Sequence, residues 1–189
     1  MKKIVLKLTV IQFVLVTFSS CVSLPSKTLK ATINNPKKEG LIVGTISLEN
    51  RKRIASGHYF YFANDSIKNK LAIKEWDARM TYNSTKWKYG IIIENSKGDF
   101  SEGKKWVYLF SISKPAGKYN FYEIEIFLNS GAMQSTWKIP IDLPFEIEAG
   151  KTKYIGEINL NVKNAQIQII NNLVRDRIKF KEKFPEIVF

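Results

Sequence analysis

The sequence predicts an all-β protein, an antiparallel β-sandwich or barrel, on three observations. Turn-forming clusters such as Asn95-Ser96-Lys97-Gly98-Asp99, Lys114-Pro115-Ala116-Gly117, Asn129-Ser130-Gly131 and Ala149-Gly150-Lys151 punctuate the chain and leave strand-length stretches between them. Between them, residues 119–128 (YNFYEIEIFL) and 152–162 (TKYIGEINLNV) alternate with the period of two that sends successive side chains to opposite faces of a strand. Patterns of helical period are scarce before residue 172.

The chain opens with Lys2, Lys3 and Lys7, an apolar run over residues 8–18 (LTVIQFVLVTF), and the small pair Ser19-Ser20 before Cys21, the only cysteine. A charged head, a short apolar core and a small-residue cleavage site are the parts of an export signal, and this core is too short to span a bilayer. Phe18-Ser19-Ser20-Cys21 resembles the lipobox of bacterial lipoproteins. The resemblance implies a signal peptide over residues 1–20 and an acylated Cys21 as the first mature residue, carrying palmitate-type chains. Several such chains anchor durably where one is marginal. No acidic cluster follows Cys21, and Val22 is not the Asp that resembles an inner-membrane retention signal. Both features point to the inner leaflet of the outer membrane, with the domain facing the periplasm.

Residues 21–39 read as a flexible tether, with Pro25, Pro36 and no sustained apolar period. A β-sandwich domain is expected over residues 40–189. Residues 40–48 form a β-rich run with apolar side chains on both faces, and residues 58–63 (HYFYFA) a second strand. Residues 71–76 (LAIKEW) fit a strand or a short helix, and residues 89–94 (YGIIIE) a strand. Residues 106–112, 119–128, 136–139, 145–147, 152–162 and 167–170 complete the strands. The tail is different. Asn172 can cap a helix, Val174 and Ile178 are four apart, and Leu173, Phe180 and Phe184 fall near one side before Pro185. A short C-terminal helix over about residues 172–184, packed on the sheets, is expected, although Val174, Ile178 and Phe180 also fit a strand.

Composition narrows the function. The formal charge of +13 falls to +10 without residues 1–20, which hold three lysines and no acid. Such an excess can attract anions. The basic residues are scattered among acids rather than gathered in an aromatic-studded groove, and an exported lipoprotein rarely meets nucleic acid, so no nucleic-acid partner is expected. With Cys21 consumed by lipid, no disulfide, thiol nucleophile or thiolate metal site remains.

His58, the only histidine, sits in an aromatic strand and reads as a core or edge residue, so neither a metal site nor a Ser-His-Asp hydrolase is expected. No Gly-rich phosphate loop is present, and no cofactor is expected. Glu123 and Glu125 share one strand face, as do Glu146 and Glu148. Paired carboxylates serve glycosidases, but polar strand faces carry such pairs routinely. Trp76, Trp87, Trp106 and Trp137, with Tyr59, Tyr61, Tyr82 and Tyr108, are candidates for stacking on sugars or for filling the core. Trp87, Trp106, Tyr108, Glu123 and Glu125 are the candidate binding residues, and no residue is assigned a catalytic role. The sequons at Asn64 and Asn83 read as ordinary turns.

Two stretches add a family likeness. Residues 110–119 (FSISKPAGKY) and 145–158 (FEIEAGKTKYIGEI) resemble the transthyretin-like, carboxypeptidase-regulatory-like domains of bacterial lipoproteins. There a proline/small-Gly-x-Tyr turn starts one strand and a Gly-Lys-x-x-Tyr-Ile-Gly segment forms another. The likeness covers roughly residues 40–162. It implies a β-sandwich acting as an accessory or binding module without catalytic residues. Independently of the family, Gly156 inside a strand predicts a bulge or close packing against an aromatic ring. The expected function is a membrane-anchored, non-catalytic lipoprotein that binds a partner protein or envelope component. The competing expectation is a glycan-binding module or a carboxylate-based glycoside hydrolase.

Overall fold

The computed structural model describes residues 24–51, 55–64, 89–94 and 96–189. The predicted signal peptide, Cys21, residues 71–76, Trp76, Tyr82, Asn83 and Trp87 lie outside these residues. Among the described residues the chain forms strands β1 (Glu39–Glu49), β2 (Ala55–Asn64), β3 (Tyr89–Glu94), β4 (Phe100–Glu102), β5 (Lys105–Pro115), β6 (Gly117–Asn129), β7 (Gln134–Ile147), β8 (Thr152–Asn161) and β9 (Gln166–Ile170). One helix, α1 (Leu173–Lys183), follows. No helix among them is long and apolar enough to cross a membrane.

The strands build two sheets, ordered β4-β5-β1-β8-β9 and β3-β2-β6-β7. Both enclose one apolar core, in which Ile42, Ile46 and Leu48 of β1, Phe110 of β5 and Leu160 of β8 face Phe60 and Phe62 of β2, Phe121 and Ile124 of β6, and Phe145 of β7. The protein is therefore mostly β, with a short C-terminal helix, as its turn spacing and alternation predict.

The expectation of wholly antiparallel sheets fails at one junction, because β1 and β8 pair in parallel. This explains why residues 40–48 do not alternate cleanly. β1 is the central strand of its sheet, and every residue between its ends is buried. Ile42 and Ile46 enter the inter-sheet core, while Leu41 and Val43 meet a second apolar cluster with Phe180 and Ile187. A strand covered on both faces reads as a continuous apolar run.

A bulge interrupts this parallel pair where Val43 opposes Tyr154 but Thr45 opposes Glu157. Gly156 sits there at φ +102°, and a Cβ on the opposing Gly44 would lie 2.7 Å from the Gly156 carbonyl oxygen and 2.9 Å from the Phe110 ring. The bulge thus needs glycine on both strands.

Two short strands predicted at residues 136–139 and 145–147 are one long strand, β7. Pro140, which follows the first predicted piece, and Pro144 both lie within β7, which is the edge of its sheet, where a proline forfeits no ladder bond on its open side. Around Pro144 the Asn120 side chain joins the strands, accepting from the Leu143 amide at 2.9 Å and donating to Asp142.

Residues 24–38, which composition reads as a tether, lie against the first sheet. Leu24 packs on the main core, and Leu29, Ala31 and Ile33 pack on the second cluster. Ser111 Oγ donates to the Lys30 carbonyl and accepts its amide, and the Ala116 amide donates to the Lys38 carbonyl. Of the helix residues expected near one side, Phe180 is buried and Phe184 packs on the second cluster, whereas the Val174 and Ile178 pair is turned outward. Val174 and Ile178 are 78% and 54% exposed, while Phe180 and Asp176 are buried. The Asn172 side chain does not cap the helix; it reaches back to Glu157.

Candidate ligand-binding cleft

The edge strand β7 and the turn joining β8 to β9 leave the two sheets apart at one corner. A cleft of about 800 Å³ opens there, within the range typical of small-molecule sites. Ile126 and Leu128 of β6, Ile139 of β7 and Val162 give it an apolar floor, and the rim carries Asn50, Lys138, Lys163 and Asn164. Trp137 flanks it, 50% exposed. The local chain explains each placement. Trp137 and Ile139 alternate toward the core side of β7, opposite Ile126 and Ile124. At the edge, no further strand among the described residues covers the large indole. Asn50 and Ala165, both in the lining, adopt φ of +55° and +56°, turning the chain sharply at the mouth. Asn50 Nδ2 donates to Asn161 Oδ1 at 3.3 Å.

Other candidates lie elsewhere. Trp87 falls outside the described residues. Trp106 is half-buried and packs on the core. Tyr108 is fully buried, its hydroxyl accepting from Arg51 at 2.8 Å and donating to the Ser96 carbonyl at 3.0 Å. Glu123 and Glu125 share the outer face of the second sheet, in register with Tyr61 and Tyr59. There the Tyr59 and Tyr61 rings lie within 10° of parallel at 6.2 Å, and Tyr122 continues the row. Lys138 Nζ stands 3.7 Å from Glu123, and Tyr59 donates to Glu94. Burial first, and the Glu94 carboxylate second, push the Tyr59 phenol well above its ordinary range. The structure brings neither Trp106 nor Tyr108 to these glutamates.

The densest polar cluster was invisible in the sequence. Under α1, Glu157 and Asp176 are fully buried, and all four of their oxygens are engaged. Arg175 donates to Glu157 Oε2 at 2.6 Å and, through Nε and Nη2, to Asp176 Oδ1 at 2.8 and 2.6 Å. Asp176 Oδ2 accepts from Thr45 and Tyr154 at 2.8 and 2.7 Å. Ser47 and Asn172 donate to Glu157, and Lys105 stands 3.4 Å away. Burial alone would raise the Glu157 pKa, but the bonds from Ser47, Arg175 and Asn172 outweigh it and hold the carboxyl below its usual value. Burial with the bond to Asp176 raises that of Tyr154. The arrangement pins the helix to the sheet and has no spare lone pair directed at a substrate.

His58 is fully buried, and neither ring nitrogen has a hydrogen-bond partner among the described residues. Burial, then the nearby Arg51 cation, lowers its pKa to about 4, with a slight opposing effect of the Ile93 backbone. Among the described residues no three His, Cys, Asp or Glu side chains converge on a possible metal position. The cleft itself could have been suspected from one signal, a tryptophan beside a lysine in a proline-interrupted strand.

No protein-family model matches the sequence. No curated protein matches it either. Among solved structures, the chain is similar to part of a leucine-rich repeat protein from Bacteroides thetaiotaomicron, at 12% identity and a TM-score of 0.35. That alignment covers 66% of this chain but 14% of the other, a likeness too slight to carry fold or function.

Proposed function

We propose that this chain is a lipoprotein of the bacterial envelope, anchored in the outer membrane through acylated Cys21 and facing the periplasm. Its β-domain is a non-catalytic binding module of the transthyretin-like kind. The cleft carries the binding reading, because it joins an apolar floor to a half-exposed tryptophan at an open corner. The saturation of Glu157 and Asp176 by internal donors supports a structural role for the best-formed carboxylate pair. The two sheets and the Gly156 bulge support the transthyretin-like reading of residues 145–158. The ligand is an envelope component or partner protein.

A second reading, a glycan-binding module or carboxylate-based hydrolase, rests on the row of Tyr59, Tyr61 and Tyr122 beside Glu123 and Glu125. Near-parallel rings suit stacking on sugar faces. The anchor is tested by growing cells on a clickable palmitate analogue. The expected result is label on the membrane-bound protein and none on Cys21→Ser; an unlabelled parent protein would overturn the lipoprotein reading.

A further inference from the structure

The binding reading leaves the ligand class open, and the cleft's own chemistry narrows it. A sugar would have to desolvate its hydroxyls against four aliphatic side chains that offer no hydrogen bond, at a cost that stacking on Trp137 does not recover. An aliphatic chain suffers no such loss. Lys138 and Lys163 border the cleft, and no acid is among its described lining residues. Lys163 forms no ion pair among the described residues, while Lys138 has Glu123 at 3.7 Å with more than half of its side chain exposed. An apolar floor beside the Lys163 ammonium group, with the Lys138 stem at its border and the Lys138 charge leaning toward Glu123 on the outer face, complements a molecule with an aliphatic chain and an anionic head.

The position of the cleft selects the source. The 3-10 turn Pro25–Thr28, where the described chain approaches the anchor, contacts β5 and β3. The cleft lies at the opposite corner, by β7 and the β8–β9 turn. An extended chain covers at most about 11 Å over the three residues from Leu24 to Cys21. The tethered side therefore faces the bilayer and the cleft faces water. Resting on the binding reading above, we propose that the cleft takes a monomeric, single-chain anionic amphiphile from the aqueous side, rather than a phospholipid in the membrane.

The test uses the full chain in phosphatidylcholine vesicles and reads the fluorescence of Trp137 as the difference from Trp137→Phe. Dodecyl phosphate is added below its micellar concentration, against dodecyltrimethylammonium and inorganic phosphate. The expected result is a saturable response to dodecyl phosphate, at least tenfold weaker in Lys138→Gln/Lys163→Gln, with little response to the other two. Both lysines are on the rim, so this variant leaves the core alone. A non-saturating signal equal in both proteins would mean simple partitioning and overturn the proposal. So would equal binding of the cationic amphiphile, competition by inorganic phosphate alone, or a response to phosphatidylglycerol vesicles without added amphiphile. A Trp137 response confined to an envelope glycan would also overturn it, while leaving the wider binding reading intact.

Discussion

His58 makes the stability of this protein acid-sensitive in a calculable way. The imidazole lies between the sheets with no hydrogen-bond partner among the described residues, and its folded pKa is lowered to about 4 against an unfolded value of 6.5. Between those values the unfolded chain binds a proton that the folded chain refuses, so stability falls as the pH falls. At pH 7 the residue is neutral in both states and costs nothing through protonation. At pH 5 the linkage amounts to about 2 kcal/mol, and below pH 4 it approaches about 3 kcal/mol. For a domain of this size, 2 kcal/mol lowers the Tm by about 4–8 °C. The assay is urea unfolding of the parent and His58→Leu at pH 7 and pH 5. Leucine removes both buried nitrogens and the titration together, so the parent should lose about 2 kcal/mol more than the variant over this interval. Parallel losses, within about 0.5 kcal/mol, would refute the placement of His58 in an unpaired core site.

Two further substitutions test the fold. Arg175→Ala strands two buried carboxylates and should cost about 3–5 kcal/mol by urea unfolding, while Arg175→Met combined with Glu157→Gln and Asp176→Asn should recover much of it; a single-variant loss below 1 kcal/mol would mean the network is not formed. Gly156→Val forces a β-branched residue to φ +102°, with its Cβ 3.2 Å from the Ile170 carbonyl oxygen. Strain of this kind costs about 1–3 kcal/mol, so an unchanged melting temperature would contradict the bulge.

The strands were legible where one face is wet. β6 alternates because its outer face carries Glu123 and Glu125 while Phe121, Ile124 and Ile126 go inward. β1 hid its pairing because both its faces are covered, and its parallel partner β8 lies more than a hundred residues away, beyond any local signal. The helix was visible from Asn172 and its period, and Phe180 and Phe184 pack inward as their spacing predicts, but the outward turn of Val174 and Ile178 was not visible. Counting apolar residues favoured Val174 and Ile178, whereas the buried position goes to Asp176, whose bonds to Thr45 and Tyr154 compensate its desolvation. β7 was divided in two by its prolines because edge position, which tolerates them, is a property of the sheet. The cleft draws its lining from four separate segments, and Trp137, named only among the four tryptophans, was not one of the candidate binding residues.

The most direct test of the account is ionic quenching of Trp137, read as the difference between the parent and Trp137→Phe. An open cleft with Lys138 and Lys163 on its rim predicts strong quenching by iodide and weak quenching by caesium, with the gap closing as salt is raised. Equal quenching by the two ions, or none by either, would contradict a water-facing cationic cleft and with it the binding role assigned to this domain.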